Sequence, residues 1–166
     1  MSEPAWLTRA RRNLGVKETP GSVSTLSILK YRAMAKVALQ GDDGAVPWCA
    51  IFVNAMLEAV GIKGSRSGMA RSFVRWGRSM PLDRIPLGAI VVLSSTRGGW
   101  SGHVGFAVGI SSSHVWLLGG NQGDAVSIAP FKRDRIIGVA WPAGVPDGEP
   151  LTTKMAKVVG GEVSDA

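Results

Sequence analysis

One cysteine occurs among the 166 residues, within Pro47-Trp48-Cys49-Ala50-Ile51-Phe52, where a loop turns into an amphipathic segment. After it the apolar residues Ile51, Phe52, Ala55, Met56, Ala59 and Val60 recur at helical spacing, and Gly61 follows as a stop signal. Cys49 is therefore expected in the first turn of a helix. There, unpaired backbone N–H groups and the positive end of the helix dipole favour thiolate over thiol and supply a nucleophile. The same N–H groups suit a developing oxyanion. The competing reading is structural, since free cysteine is among the most buried residue types and often serves as a small hydrophobe.

A nucleophilic thiol needs a base, and the base needs a third group that fixes its tautomer and aim. The chain has two histidines. His103 stands in Trp100-Ser101-Gly102-His103-Val104-Gly105-Phe106, which reads as a glycine loop entering a strand; His114 follows Ser111-Ser112-Ser113 at a turn tip. If strands 103–110 and 114–118 pair around the serine turn, their outer ends, His103 and the stretch from Gly119 to Asn121, meet at one edge of a sheet. This makes His103 the expected base and Asn121 the expected orienting residue. His114 is the rival base and Gln122 the rival orienter. Trp48 and Trp100 flank the two main candidates, where they either contact substrate or fill the core. Asp42 and Asp43 either line a cleft or form an acidic turn before the helix.

The elements that must position these groups segregate along the chain. Helical spacing covers residues 4–14, then from Ser22 or Ser24 to about Leu39, then from Cys49, and briefly 69–76. Short runs rich in β-branched and aromatic residues follow at Ala89–Leu93, His103–Ile110, His114–Leu118, Ala125–Ile128 and Ile136–Trp141. Helices first and strands second predict an α+β domain, with N-terminal helices packed on a mostly antiparallel sheet of about five strands. Residues 1–142 are read as one catalytic domain. Residues 143–166, which lose periodicity, are read as a linker and flexible tail.

Composition narrows the chemistry. The chain is 45% hydrophobic, enough for a single well-buried core. A lone cysteine excludes an internal disulfide, and one cysteine with two histidines gives no zinc-ligand spacing, so no metal and no cofactor are expected. No phosphate-binding glycine motif occurs. The net charge of +7 favours an anionic partner. The scattered basic residues match no nucleic-acid-binding signature, so no nucleic-acid partner is expected. The N-terminus lacks the pattern of a signal peptide, and no stretch is long and apolar enough for stable membrane insertion.

Several segments together resemble the CHAP and NlpC/P60 group of papain-like cell-wall hydrolases, in particular its small phage-associated CHAP-like branch. They are Leu14-Gly15-Val16-Lys17-Glu18, Pro47-Trp48-Cys49-Ala50-Ile51-Phe52-Val53-Asn54, Ala70-Arg71-Ser72-Phe73, Gly88-Ala89-Ile90-Val91-Val92, Gly102-His103-Val104-Gly105-Phe106 and Leu118-Gly119-Gly120-Asn121-Gln122. The resemblance implies a papain-like fold and a cysteine hydrolase, an amidase or endopeptidase, cleaving an amide bond of bacterial peptidoglycan through an acyl-enzyme. It implies Cys49 as nucleophile, His103 as general base and acid and Asn121 as orienter, with Trp48, Trp100, Gln122 and Asp43 as candidates for substrate binding. Several members carry a glutamate two positions before the asparagine; Gly119 stands there in this chain. The implied setting is a monomeric endolysin-like enzyme made in the bacterial cytoplasm, a virion-borne lysin or a secreted effector. A wall- or partner-binding module and a thiol acyl or amide transferase are the alternatives.

Overall fold

The computed structural model describes residues 3–17, 26–37, 48–95 and 102–153. In chain order its elements are α1 (Ala5–Arg11), α2 (Leu26–Ala35), α3 (Cys49–Ala59), a 3-10 helix (Ala70–Arg75), β1 (Arg78–Ser79), β2 (Ile90–Ser94), β3 (Gly102–Ile110), β4 (His114–Gly119), β5 (Ser127–Lys132), a 3-10 turn (Arg133–Arg135) and β6 (Ile136–Trp141). Helices precede strands, and the domain is α+β as expected.

Helix α1 starts where the Pro4 carbonyl accepts the N–H groups of Leu7 and Thr8, and it buries Trp6, Leu7 and Ala10. It ends at Arg11 rather than Leu14, because the next N–H groups, on Arg12, Asn13 and Leu14, tighten onto carbonyls three residues back. Gly15, at φ +93°, then turns the chain towards the sheet, where its N–H donates to Val126.

Helix α3 is buried without a break from Cys49 to Leu57 and lies between α1, α2 and the sheet. Such a helix is apolar all round rather than on a single stripe. Phe52 anchors it, with its ring 5.2 Å from Tyr31 and 6.4 Å from Phe106 of β3. Truncating so buried a phenylalanine to alanine costs about 3–5 kcal/mol. Asn54, also buried, donates to the Ala50 and Ser67 carbonyls and accepts from the Arg66 N–H, tying the loop after α3 to its first turn.

The sheet has six strands in the order β1-β6-β2-β3-β4-β5, with every neighbouring pair antiparallel. Strands β2 to β5 form a meander, and β6 returns to pair with the other edge of β2. Register sets Leu93 opposite His103 and Phe106 opposite Leu118, so the end of β4 and the loop after it lie beside the start of β3.

The sheet differs from the five-stranded expectation in two places. Strand β1 is two exposed residues paired with β6, too short to leave a pattern. Strand β5 runs Ser127–Lys132 instead of 125–128, continuing through Pro130. Proline removes a ladder donor, but β5 is the last strand of the sheet and an edge tolerates the loss. The stretch after Pro142, expected to be a linker, is hydrogen-bonded to the domain through residue 151. Trp141 Nε1 donates to the Val145 carbonyl, Leu87 N–H to Glu149 and Leu151 N–H to Ile85, while Arg78 pairs with Asp147 at 2.6 Å. Backbone bonds hold this segment, which is why it shows no apolar period. No described helix is long and apolar enough to cross a membrane.

Candidate active site

Cys49 is the first residue of α3, as its place before the apolar repeat predicts. The backbone N–H groups of Val104, Ala50 and Cys49 itself favour its thiolate. Burial opposes them and wins: the residue is 3% exposed, and desolvation pushes the thiol pKa up. The helix terminus therefore does not give the lowered pKa expected from the dipole alone.

His103 stands at the start of β3, and its Nε2 lies 2.8 Å from Gln122 Oε1. The rest of the Gln122 amide settles the direction of this bond. Gln122 Nε2 donates to the Leu117 carbonyl at 3.0 Å and to the Ser127 carbonyl at 2.8 Å; carbonyls only accept, so the amide nitrogen must face them and Oε1 must face the ring. His103 consequently carries its proton on Nε2, and Nδ1 is left as the basic nitrogen. The imidazole pKa is pulled down by burial, drawn back up by the Gln122 bond and lowered again by the Arg135 guanidinium. Both shifts favour a neutral thiol and a neutral imidazole over an ion pair.

A cavity of about 470 Å³ opens beside His103 and Gln122, lined by these two with Asn121, Ser127, Ala129 and Phe131 among others. The Phe131 ring centre is 5.2 Å from that of His103. Arg135 lies over the same phenyl ring, 5.7 Å from its centre, with its guanidinium fixed on the Ser94 carbonyl at 2.7 and 3.2 Å.

The structure brings together His103, Asn121 and Gln122, but gives the clamp on the imidazole to Gln122 and not to Asn121. Asn121 lines the cavity at φ +58°, a turn conformation that asparagine tolerates. Cys49 is not among the residues lining that cavity, and no hydrogen bond joins it to His103 among the described residues. Its link is the Val104 N–H, the peptide group that directly follows His103. Trp48, expected as a possible substrate contact, is core: it is 2% exposed and stacked 6.2 Å from Tyr31. Trp100, Asp42 and Asp43 lie outside the described residues. His114 sits at the opposite end of β4 from Gln122, with Nδ1 2.7 Å from Ser113 Oγ, and is no part of this cluster.

No sequence pattern singles out Arg135 or Phe131. Both reach the site through the chain reversal between β5 and β6, a long-range placement that leaves no local pattern. Among the described residues no group of three or more His, Cys, Asp or Glu could hold a metal ion. No family model matches this chain, and a search of curated proteins finds no match either.

Proposed function

We propose that this chain is a papain-like cysteine hydrolase and that its substrate is an amide bond of bacterial peptidoglycan. The observation that carries the enzymatic part is the convergence at one peptide junction. The N–H of Val104 is among the backbone groups that favour the Cys49 thiolate, and the residue before it, His103, is held in a single tautomer by a buried amide. The substrate class rests on the resemblance of the Cys49, His103 and Gly119-Gly120-Asn121-Gln122 segments to the CHAP and NlpC/P60 hydrolases, and the positive net charge suits an anionic wall polymer.

The reaction follows from these groups. The thiol proton passes to His103 Nδ1 while sulfur attacks the amide carbonyl, and backbone N–H groups at the start of α3 receive the developing oxyanion. His103 then gives the proton to the leaving amine as the C–N bond breaks, leaving a thioester. Water, losing a proton to the same nitrogen, adds to the thioester and releases the acid and the thiol. This sequence requires the sulfur to leave its buried position and meet Nδ1.

The test is digestion of purified peptidoglycan with wild-type protein and with Cys49→Ala, read by mass spectrometry of the released fragments. Wild type is expected to release fragments whose masses assign the bond, and the alanine variant to release none while keeping its melting temperature within a few degrees. Equal release by both proteins would remove Cys49 from the chemistry.

A further inference from the structure

We infer that Gly119 is a positioning residue whose missing side chain creates the seat from which Gln122 sets the tautomer of His103. Gly119 closes β4 with ordinary strand backbone, not in the left-handed region, so alanine there carries no dihedral penalty. Space is what forbids a side chain. A Cβ at Gly119 would lie 2.6 Å from Gln122 Oε1 and 3.2 Å from its Cδ, well inside van der Waals contact. Gly105 on β3 walls the same seat, its Cβ position being 3.6 Å from Oε1 and 3.1 Å from Leu117 Cβ.

The Gln122 amide cannot simply step aside. Its nitrogen is fixed on the Leu117 and Ser127 carbonyls, and the Gln122 backbone carbonyl accepts from Ser127 Oγ at 3.0 Å. A methyl group at 119 therefore displaces Oε1, the atom that accepts the His103 proton. With the acceptor gone, the imidazole is free to carry its proton on either nitrogen, and the fraction with a basic Nδ1 falls. The glycine thus acts on the imidazole through Gln122, without touching it. This holds whether or not the protein is a hydrolase, because the tautomer is a property of the resting molecule.

The experiment is nitrogen-15 NMR of histidine-labelled protein above the histidine titration range. Two histidines give a spectrum simple enough to assign, and His114 serves as the internal control. Wild type is expected to show His103 as a single Nε2–H tautomer, and Gly119→Ala to show a mixture with His114 unchanged. Gly119→Ala with His103 still a pure Nε2–H tautomer would overturn the inference.

A double-mutant cycle with Gln122→Ala covers loss of folding. Truncating Gln122 removes the clash, so Gly119→Ala/Gln122→Ala should be no less stable than Gln122→Ala alone. If the alanine at 119 destabilises the protein equally with or without the glutamine side chain, the seat is not what the glycine provides. In a protein active on peptidoglycan, Gly119→Ala should lower kcat by about tenfold or more with KM little changed. Absence of activity in wild type would count against the hydrolase proposal and leave the tautomer result standing.

Discussion

The two ends of the candidate site are built in opposite ways. At the mouth of α3 the thiol is sealed, 3% exposed, and meets backbone amides and apolar neighbours. At the start of β3 the imidazole opens onto a cavity and is held by a buried glutamine that itself makes bonds to two carbonyls. The comparison teaches that the hydrogen-bonded order of this region is concentrated on the imidazole. The thiol is held in its neutral form: burial raises its pKa and lowers that of the imidazole, so a standing thiolate–imidazolium pair is disfavoured from both sides. The helix dipole, worth at most about 2 kcal/mol in partly buried settings, is the weaker effect against desolvation of a nearly closed thiol.

The largest effect that could break this comparison is at the sulfur. An ordinary exposed cysteine with a pKa of about 8.5 has a few per cent of thiolate at neutral pH. Cys49, both buried and raised, should react with iodoacetamide at pH 7 at least about 100-fold more slowly than glutathione does. Its rate should climb only as the pH passes above the ordinary thiol range. Mass spectrometry of the intact protein counts the adduct directly. Rapid modification at pH 6 would mean that the thiolate is exposed and paired, and the contrast between the two ends would collapse.

A smaller effect sharpens the other end by separating neighbouring amides. Gln122 clamps the imidazole while Asn121 only borders the cavity, so under the hydrolase proposal Gln122→Ala should reduce turnover of peptidoglycan by about tenfold or more. Asn121→Gly, which suits the positive φ, should stay within about threefold of wild type. Fragment release measured at equal protein concentration gives both numbers. The reverse order would return the orienting role to Asn121.

The order of elements and the place of the cysteine were legible because they rest on local signals. Apolar residues at helical spacing marked α3 from its first residue, and β-branched runs between glycine and serine turns marked β2, β3, β4 and β6. Hairpin logic also brought His103 to the loop after β4, since the serine turn fixes which ends meet. What the sequence could not decide was which of two adjacent amides faces the ring. That depends on a seat cut by Gly105 and Gly119, from strands 14 residues apart in sequence, and a glycine in a strand records only that something comes close. The raised thiol pKa is hidden from the sequence for a related reason. A helix terminus is visible in sequence, whereas the depth of packing around α3 is a sum of long-range contacts from α2 and β3.

The smallest expected effect lies in the pH dependence of stability, and it tests both ends in one measurement. The folded chain holds a proton on His103 more weakly than the unfolded chain does, so the unfolded state binds more protons as the pH falls below the ordinary histidine value of about 6.5. Stability from this group is complete above that value and is lost on the acid side. Cys49 has the opposite sign. Its folded pKa is raised, so its contribution is complete below the ordinary thiol value of about 8.5 and is lost as the pH rises past it. Melting temperature should therefore form a plateau between roughly pH 6.5 and 8.5 with a shoulder on each side. One group exchanges at most one proton, about 1.4 kcal/mol per pH unit, which in a domain of this size amounts to roughly 3–5 °C per unit. Substitution should act on slopes rather than on the plateau height: His103→Gln should flatten the curve between about pH 6.5 and the carboxylate range, and Cys49→Ala should flatten it above about pH 8.5. If the alkaline shoulder survives in Cys49→Ala while the acid one vanishes in His103→Gln, the thiol is not held neutral by burial, and only the imidazole half of the contrast stands.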